Sequence, residues 1–222
     1  MSFYHNPRVI TDGLVLYFDA KNNKSAVSGS GYWKDLITGN KAVLTNTPIY
    51  NSEGYYTFDS ASLQYGTYTS IRADLADNRT VSVWAYPTIP DKRQTIVADW
   101  HTNGGIGVGI RESNQIAFAY RAVPEESWQY FGSATEIQYN QWYNFTGVYD
   151  GNIGNEKVYT NGNKETTAEI IGLSTSYGTI GRRDNGSNYW SGHIAVIQFY
   201  NRALTEIEVK QNYIATKGRF GK

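Results

Sequence analysis

The sequence predicts an all-β fold, a sandwich or a barrel, finished by one short C-terminal helix. Three observations carry that prediction. Short β-branched and aromatic runs recur along the chain, clusters of Gly, Asn, Asp and Ser separate them, and a helix-capping box stands near the end. Strands at regular spacing with Gly-rich turns build sandwiches and barrels.

The elements follow in order. Leu14-Val15-Leu16-Tyr17-Phe18 is a compact strand after the turn signal Asp12-Gly13. Thr80 to Tyr86 is β-branched and aromatic, and Pro87 ends it. Gln94 to Trp100, Gly107 to Arg111 and Gln115 to Tyr120 are the next three strands, the last two joined by the short loop Glu112-Ser113-Asn114. Trp142 to Tyr149 is another, closed by Asp150-Gly151. Lys157 to Thr160 turns back through Asn161-Gly162, a pair that tolerates the positive φ angles of a type I′ hairpin. Ser191 to Tyr200 is apolar on both faces, as a buried central strand requires. The count is at least ten strands. In Thr205-Glu206-Ile207-Glu208 the hydroxyl and the second carboxylate can each satisfy a free backbone N–H, with Leu204 and Val209 placed as a hydrophobic staple. Ile207, Gln211 and Ile214 run on at helical spacing, and Gly218 is the stop.

A chain of 222 residues suits one domain with a sizeable core. Aromatic residues make up 15%, which excludes a disordered polymer. Twenty Lys and Arg balance twenty Asp and Glu, and binders of nucleic acid or of membrane surfaces normally carry a basic excess. With no Cys, disulfides, thiolate metal sites and thiol nucleophiles are excluded, and assembly in a reducing cytoplasm fits. Met1 to Arg8 holds no apolar signal core, and no apolar run approaches the ~20 residues that span a bilayer. The expectation is a soluble protein without membrane insertion, released by lysis if it leaves the cell.

Catalytic signatures are sparse. There is no Gly-x-Ser-x-Gly elbow. The glycines of Gly104 to Gly109 match neither a phosphate loop nor a dinucleotide fingerprint, and Ile106, Val108 and Ile110 alternate as one face of a strand. His5, His101 and His193 are scattered, with no His-Glu-x-x-His pair. Glycoside hydrolysis needs two carboxyls flanking one bond. Glu125-Glu126 are adjacent in a loop, and Glu206 with Glu208 is explained by capping. The expectation is a protein that is not an enzyme, with no catalytic residues.

Aromatic side chains are the most informative feature. Trp100-His101, Trp128-Gln129-Tyr130 and Tyr189-Trp190 fall at predicted loop edges or strand ends. Exposed rings there would stack on the C–H faces of sugars or anchor a protein partner. Core packing is the competing role, and it is the expected one for mid-strand Trp84, Trp142 and Phe199. The oxygen-rich loop Asp184-Asn185-Gly186-Ser187-Asn188, with Asp99 at a strand end, is a candidate calcium site. Ordinary turn chemistry also explains that composition.

Tyr32-Trp33-Lys34-Asp35-Leu36 with Thr38-Gly39-Asn40 resembles the early W-x-D-L-(S/T)-G-N segment of concanavalin A-like, laminin G-like domains. Phe58-Asp59, Thr80 to Tyr86, Trp142 to Gly151 and Val158 to Gly162 follow in the family's order. So does the ending, Ile180-Gly181-Arg182-Arg183, then Trp190 to Ile194, then Tyr200 to Thr205. The resemblance covers Gly13 to Gly218. It implies a two-layer antiparallel β-sandwich, a laminin G-like jelly roll with one short C-terminal helix. The family includes lectins, glucanases, adhesion modules and structural parts. This chain lacks the glucanase strand motif with acids at alternate positions.

His5 to Arg8 leading into Thr11 to Ala20, and the ending Gln211 to Gly221, are similar to virion proteins of tailed phages that carry this domain. That resemblance implies a non-enzymatic structural or decoration protein on the virion surface, assembled in the host cytoplasm. It would bind other virion proteins of capsid, neck or tail, and cell-surface or environmental glycans. The segment up to about Ile10 has few core-like residues and reads either as an arm lying on a neighbour or as a frayed terminus; the expected organisation is an attachment arm over 1–12 contacting through Phe3, Tyr4, His5 and Arg8, a sandwich over 13–218, and a tail over 219–222. The alternative is a calcium-supported lectin module; a glycoside hydrolase is the third reading.

Overall fold

The computed structural model describes residues 7–71, 78–101, 104–121, 129–151, 155–169, 178–183 and 186–222. Two antiparallel sheets stack face to face, as the resemblance implies, and the described residues form seventeen strands.

In chain order the strands are β1 (Leu14–Asp19), β2 (Tyr32–Lys34), β3 (Lys41–Thr45), β4 (Ile49–Asn51), β5 (Tyr55–Phe58), β6 (Tyr65–Thr67), β7 (Asn78–Pro87), β8 (Gln94–His101) and β9 (Gly104–Ile110). They continue with β10 (Gln115–Arg121), β11 (Gln129–Glu136), β12 (Tyr143–Asp150), β13 (Lys157–Thr160), β14 (Asn163–Lys164), β15 (Thr167–Glu169), β16 (Thr179–Ile180) and β17 (Gly192–Tyr200). The first sheet runs β14-β13-β12-β7-β17-β5-β4, with β1 also paired to β17. The second runs β15-β11-β10-β9-β8-β16-β6-β3-β2.

Period-2 alternation decides the faces. Val81, Val83 and Ala85 of β7 point inward with Phe145, Ile194 and Phe18, against Ile106, Val108 and Ile110 of β9 and Phe118 of β10. The glycine-led run at 104 is therefore a core strand, and its alternation is the reason. Asn161 and Gly162 take φ of 53° and 68°, which closes the β13–β14 hairpin as the sequence predicts. β17 is buried on both faces, with a register shift between Ile194 and Val196.

The W-x-D-L-x-G-N segment has a physical explanation. Trp33 is fully buried, and Asp35, 1% exposed, is a hub. Its carboxylate accepts from the backbone N–H groups of Tyr17 (2.7 Å), Ile37 (3.1 Å) and Thr38 (2.9 Å), and from the Thr38 hydroxyl (2.6 Å). One side chain thus ties β1 to the turn that reverses into β3.

Helix α1 (Glu206–Lys217) lies on the outer face of the first sheet. The Thr205–Glu208 capping box forms, and Leu204 and Val209 pack in one cluster as the staple. Gly218 follows as the cap, and the chain continues through a 3₁₀ turn, Gly218–Phe220. The apolar spacing at Ile207 and Ile214 does not mark the buried face: Ile207 is 80% exposed. The buried residues are Val209, Asn212 and Thr216. The underlying sheet presents polar groups, one donor and one acceptor, that need partners, so polar helix residues meet them. The Trp84 indole donates to Thr216 Oγ1 (2.8 Å), and Asn212 Nδ2 donates to the Tyr200 hydroxyl (3.0 Å).

The segment before β1 rests on this helix. The Ile10 N–H donates to Asn212 Oδ1 (2.8 Å), and Gln211 Nε2 donates to the Arg8 carbonyl (2.8 Å). Arg202 bridges Asp12 (2.8 Å) and Glu208 (2.6 Å). Of the candidate arm, Arg8 is exposed but held through its backbone, while Phe3, Tyr4 and His5 lie outside the described residues.

Candidate functional site

Past the C-terminal end of α1, the outer face of the first sheet stays partly open. Strand register places one row of side chains there. His193 of β17 is paired with Thr57 of β5 on one side and with Tyr86 of β7 on the other. Trp142 comes directly before Tyr143, the partner of Ala85, so it falls beside Tyr86. Tyr55 is two residues from Thr57 and shares its face.

The rings close into a continuous surface. Ring centroids are 4.5 Å apart for Tyr55–His193, 4.9 Å for Tyr86–His193, 5.5 Å for Tyr86–Trp142 and 5.6 Å for Tyr55–Trp142. Phe220 borders it, 4.8 Å from Trp142 and stacked on Trp84 at 4.0 Å. Tyr55, Tyr86, Trp142, His193 and Phe220 are all half-buried, whereas Trp84 is 1% exposed beneath the helix. The expected core role of Trp142 is therefore corrected: it precedes β12 and lies on the outer face. Trp84 and Phe199 are core residues, as expected.

Backbone geometry makes the row possible. Gly192 takes φ of 137°, and a Cβ there would fall 2.0 Å from the Tyr86 carbonyl oxygen, so only glycine lets β17 run this close to β7. His193 Nδ1 lies 3.0 Å from the Thr57 hydroxyl. Burial between the rings lowers the pKa of His193, which keeps the imidazole neutral near pH 7. Burial, followed by the nearby Glu53 charge, raises that of Tyr55. The surface offers aromatic faces edged by neutral hydroxyl and imidazole groups. That chemistry suits stacking and hydrogen bonding to an uncharged polyol.

The sequence candidates that are described fall elsewhere. Trp190 is 0% exposed within the main core, which removes it as a sugar-stacking ring. Its place before β17 aims it between the layers, an orientation that a strand-end position does not reveal. Tyr189 is half-buried and accepts from Arg182 Nη1 at 3.4 Å. Trp100 and His101 belong to β8 and Tyr130 to β11, but their side chains, and the whole of Trp128, lie outside the described residues.

Asp99 is 0% exposed, and its carboxylate accepts from the Ser70 hydroxyl (2.5 Å) and the Ile71 N–H (3.1 Å). These bonds hold it in the interior. Asp184 and Asn185 lie outside the described residues. Among the described residues no group of three His, Cys, Asp or Glu stands together to hold a metal. No helix among them is long and apolar enough to cross a membrane.

The residues that sequence reasoning missed are Tyr55, Tyr86 and His193. One signal could have found them. In Trp84-Ala85-Tyr86 and Tyr55-Tyr56-Thr57 the inward positions are already filled by Ala85 and Tyr56, which sends the other rings outward.

Residues 51–210 match the family model described as the concanavalin A-like lectin/glucanases superfamily. Among solved structures, a Trypanosoma rangeli sialidase is 16% identical with a TM-score of 0.63, over 96% of this chain and 34% of that one. The same sialidase in complex with sialic acid gives 16% identity, a TM-score of 0.65, and coverage of 96% and 35%. The receptor binding domain of botulinum neurotoxin mosaic serotype C/D is 18% identical with a TM-score of 0.64, over 92% of this chain and 51% of that one. The chain thus spans about a third of the sialidase and half of the toxin domain, and identities this low establish the fold alone. No curated protein sequence matches the chain.

Proposed function

The chain belongs to the concanavalin A-like lectin/glucanase superfamily, and from that premise we propose that it is a non-enzymatic carbohydrate-binding domain. The observation that carries the reading is the row of half-exposed rings Tyr55, Tyr86, Trp142 and His193. A folded protein gains by burying such rings. Left open on a rigid sheet, they are ordered in advance for a ligand, which lowers the entropy cost of binding. The row itself contains no carboxylate, and glycoside hydrolysis needs two. Two neighbours of the same fold, a sialidase and a toxin receptor-binding domain, carry names consistent with glycan and receptor recognition.

Titration with neutral hexose oligosaccharides tests the proposal. Trp142→Ala should weaken binding about tenfold, which corresponds to ~1.4 kcal/mol, with a modest fall in melting temperature from the packing lost on Phe220. No reducing ends should be released from any polysaccharide. Equal affinity in Trp142→Ala and Tyr86→Ala would overturn the assignment of the site.

A finer reading places the domain on a phage particle. That reading rests on the sequence resemblance alone. The two segments that resemble virion proteins, near residues 8–10 and 211–212, are hydrogen-bonded to each other although some 200 positions apart. Removing Met1 to Pro7 spares those bonds, so the domain should fold and lose its hold on the particle. Retention of the shortened chain on purified particles would reject the arm's role.

A further inference from the structure

The opposite side of the molecule, the outer face of the second sheet, carries a different chemistry. Tyr32 of β2 pairs with Val43 of β3, and Thr45 of β3 pairs with Tyr65 of β6. Val43 and Thr45 alternate onto one face, so Tyr32 and Tyr65 share it. Trp33 and Ala42, between them in sequence, are fully buried on the other face.

Each tyrosine carries a cation. Lys41 Nζ sits 4.0 Å from the Tyr32 ring centroid, and the Arg182 guanidinium sits 3.5 Å from that of Tyr65. Lys34 is directly opposite Lys41 across the strand pair. Like charges in that relation destabilise a sheet. Among the described residues, no carboxylate forms a salt bridge with Lys34, Lys41 or Arg182. Val43, in the middle of the face, is 57% exposed. Edge lysines discourage strand addition, which accounts for β2 but not for Arg182, which lies beyond β6 in the interior of the sheet order.

We propose that this face is a second glycan site, specific for acidic polysaccharides, whose carboxylates or sulfates are met by Lys34, Lys41 and Arg182. It rests on the carbohydrate-binding reading, but not on the Trp142 row. From Tyr32 to Tyr65 is two strand steps and two residues of rise, about 12 Å at ~4.8 Å and ~3.4 Å each. An extended chain of two or three sugar rings spans that distance. Its apolar ring edges rest on Val43 while its anions reach a cation at either end. Arg182 Nη1 donates to the Tyr189 hydroxyl at 3.4 Å, which with the packing on Tyr65 fixes the guanidinium in place, and its charge and remaining donors are available to an anion. A nucleic acid fits less well, because each ring already carries a cation on one face and the chain has zero formal net charge.

Binding of polygalacturonate, dextran sulfate and a neutral glucan, each measured on the intact chain by calorimetry, tests the idea. Lys41→Gln and Lys34→Gln are surface changes, and together they should weaken the acidic polymers at least fivefold; adding Arg182→Gln should remove binding. Neutral glucan binding should stay with Trp142 and be unaffected by these variants. Raising salt from about 0.05 M to about 0.5 M should also weaken the acidic polymers, because the screening length falls well below 10 Å. Polygalacturonate binding alone identifies the anion as carboxylate; dextran sulfate binding alone identifies it as sulfate; either supports the site. Unchanged binding of both in the Lys34/Lys41 double variant overturns it, as does equal affinity for single-stranded DNA. Loss of neutral binding alone in Trp142→Ala would leave this site standing.

Discussion

Asp35 and Asp19 are the two polar hubs of the N-terminal third, each accepting four hydrogen bonds, and Asp35 is the one that organises the W-x-D-L-x-G-N turn. Its four acceptor bonds tie the half-buried Tyr17 N–H to the exposed turn at Ile37 and Thr38. Asp35→Ala would leave the Tyr17 donor without its partner, at ~1–3 kcal/mol, while water can replace the turn contacts. The expected loss is about 1–3 kcal/mol, read as a lower urea midpoint at an unchanged slope. His193 makes the other residue-scale prediction. Its pKa is lowered by burial, so the unfolded chain binds this proton more readily than the folded one. Its contribution is present above the ordinary histidine range and is lost as pH falls through the lowered value. Stability should therefore decline below about pH 6.5, and His193→Gln should remove that part of the decline. A pH series of thermal melts with identical profiles for both proteins would contradict it. Asp35 was legible in the sequence as part of a motif; His193 was not, because an isolated histidine gives no signal until its neighbours are known.

Helix α1 shows how much of an element local sequence can specify. Its start was readable, since a capping box and a staple need only residues 204 to 209. Its buried face was not. Asn212 and Thr216 turn inward because Tyr200 and Trp84 need partners, a demand that arises in strands more than a hundred residues away in the case of Trp84. Thr205→Ala should cost about 1 kcal/mol. Glu208 is lowered to about 2, first by its bond to Arg202 and then by the cap contacts. Its contribution is complete above the ordinary carboxylate range and fades as pH falls toward 2. Far-UV circular dichroism should show helix signal lost over that acidic interval, and Glu208→Gln should flatten it. Deleting Gly218 to Lys222 removes Phe220 from Trp84 and breaks the Arg219–Asp19 bridge, 2.8 Å long. Tryptophan emission should then shift to the red, as water reaches two indoles.

At the scale of the molecule, the two layers approach closely at Gly147. A Cβ there would stand 2.3 Å from Phe118 Cδ1 across the core. Overpacking of this kind costs ~1–3 kcal/mol, so Gly147→Ala should lower the melting temperature by several degrees while keeping the fold. A smaller ring at 118, in the pair Gly147→Ala with Phe118→Leu, should restore part of the loss. The same rigid stack separates the two outer faces, one aromatic and neutral, the other basic. Variants on one are therefore expected to leave the other's binding unchanged.

The sequence by itself determined the all-β class, the hairpins, the capped helix and the order of motifs that identifies the family. Those follow from local chemistry: a two-residue alternation, the positive φ of Asn-Gly, and a cap closed within four residues. Tertiary structure alone decided which rings reach solvent. Trp190 and Trp142 both adjoin strands, yet one lies between the layers and the other on the outside. The physical reason is register. Residues 55, 86, 142 and 193 become one surface only when β5, β17 and β7 pair in a fixed alignment and Trp142 enters β12 beside them, and no residue carries that alignment in its own neighbourhood.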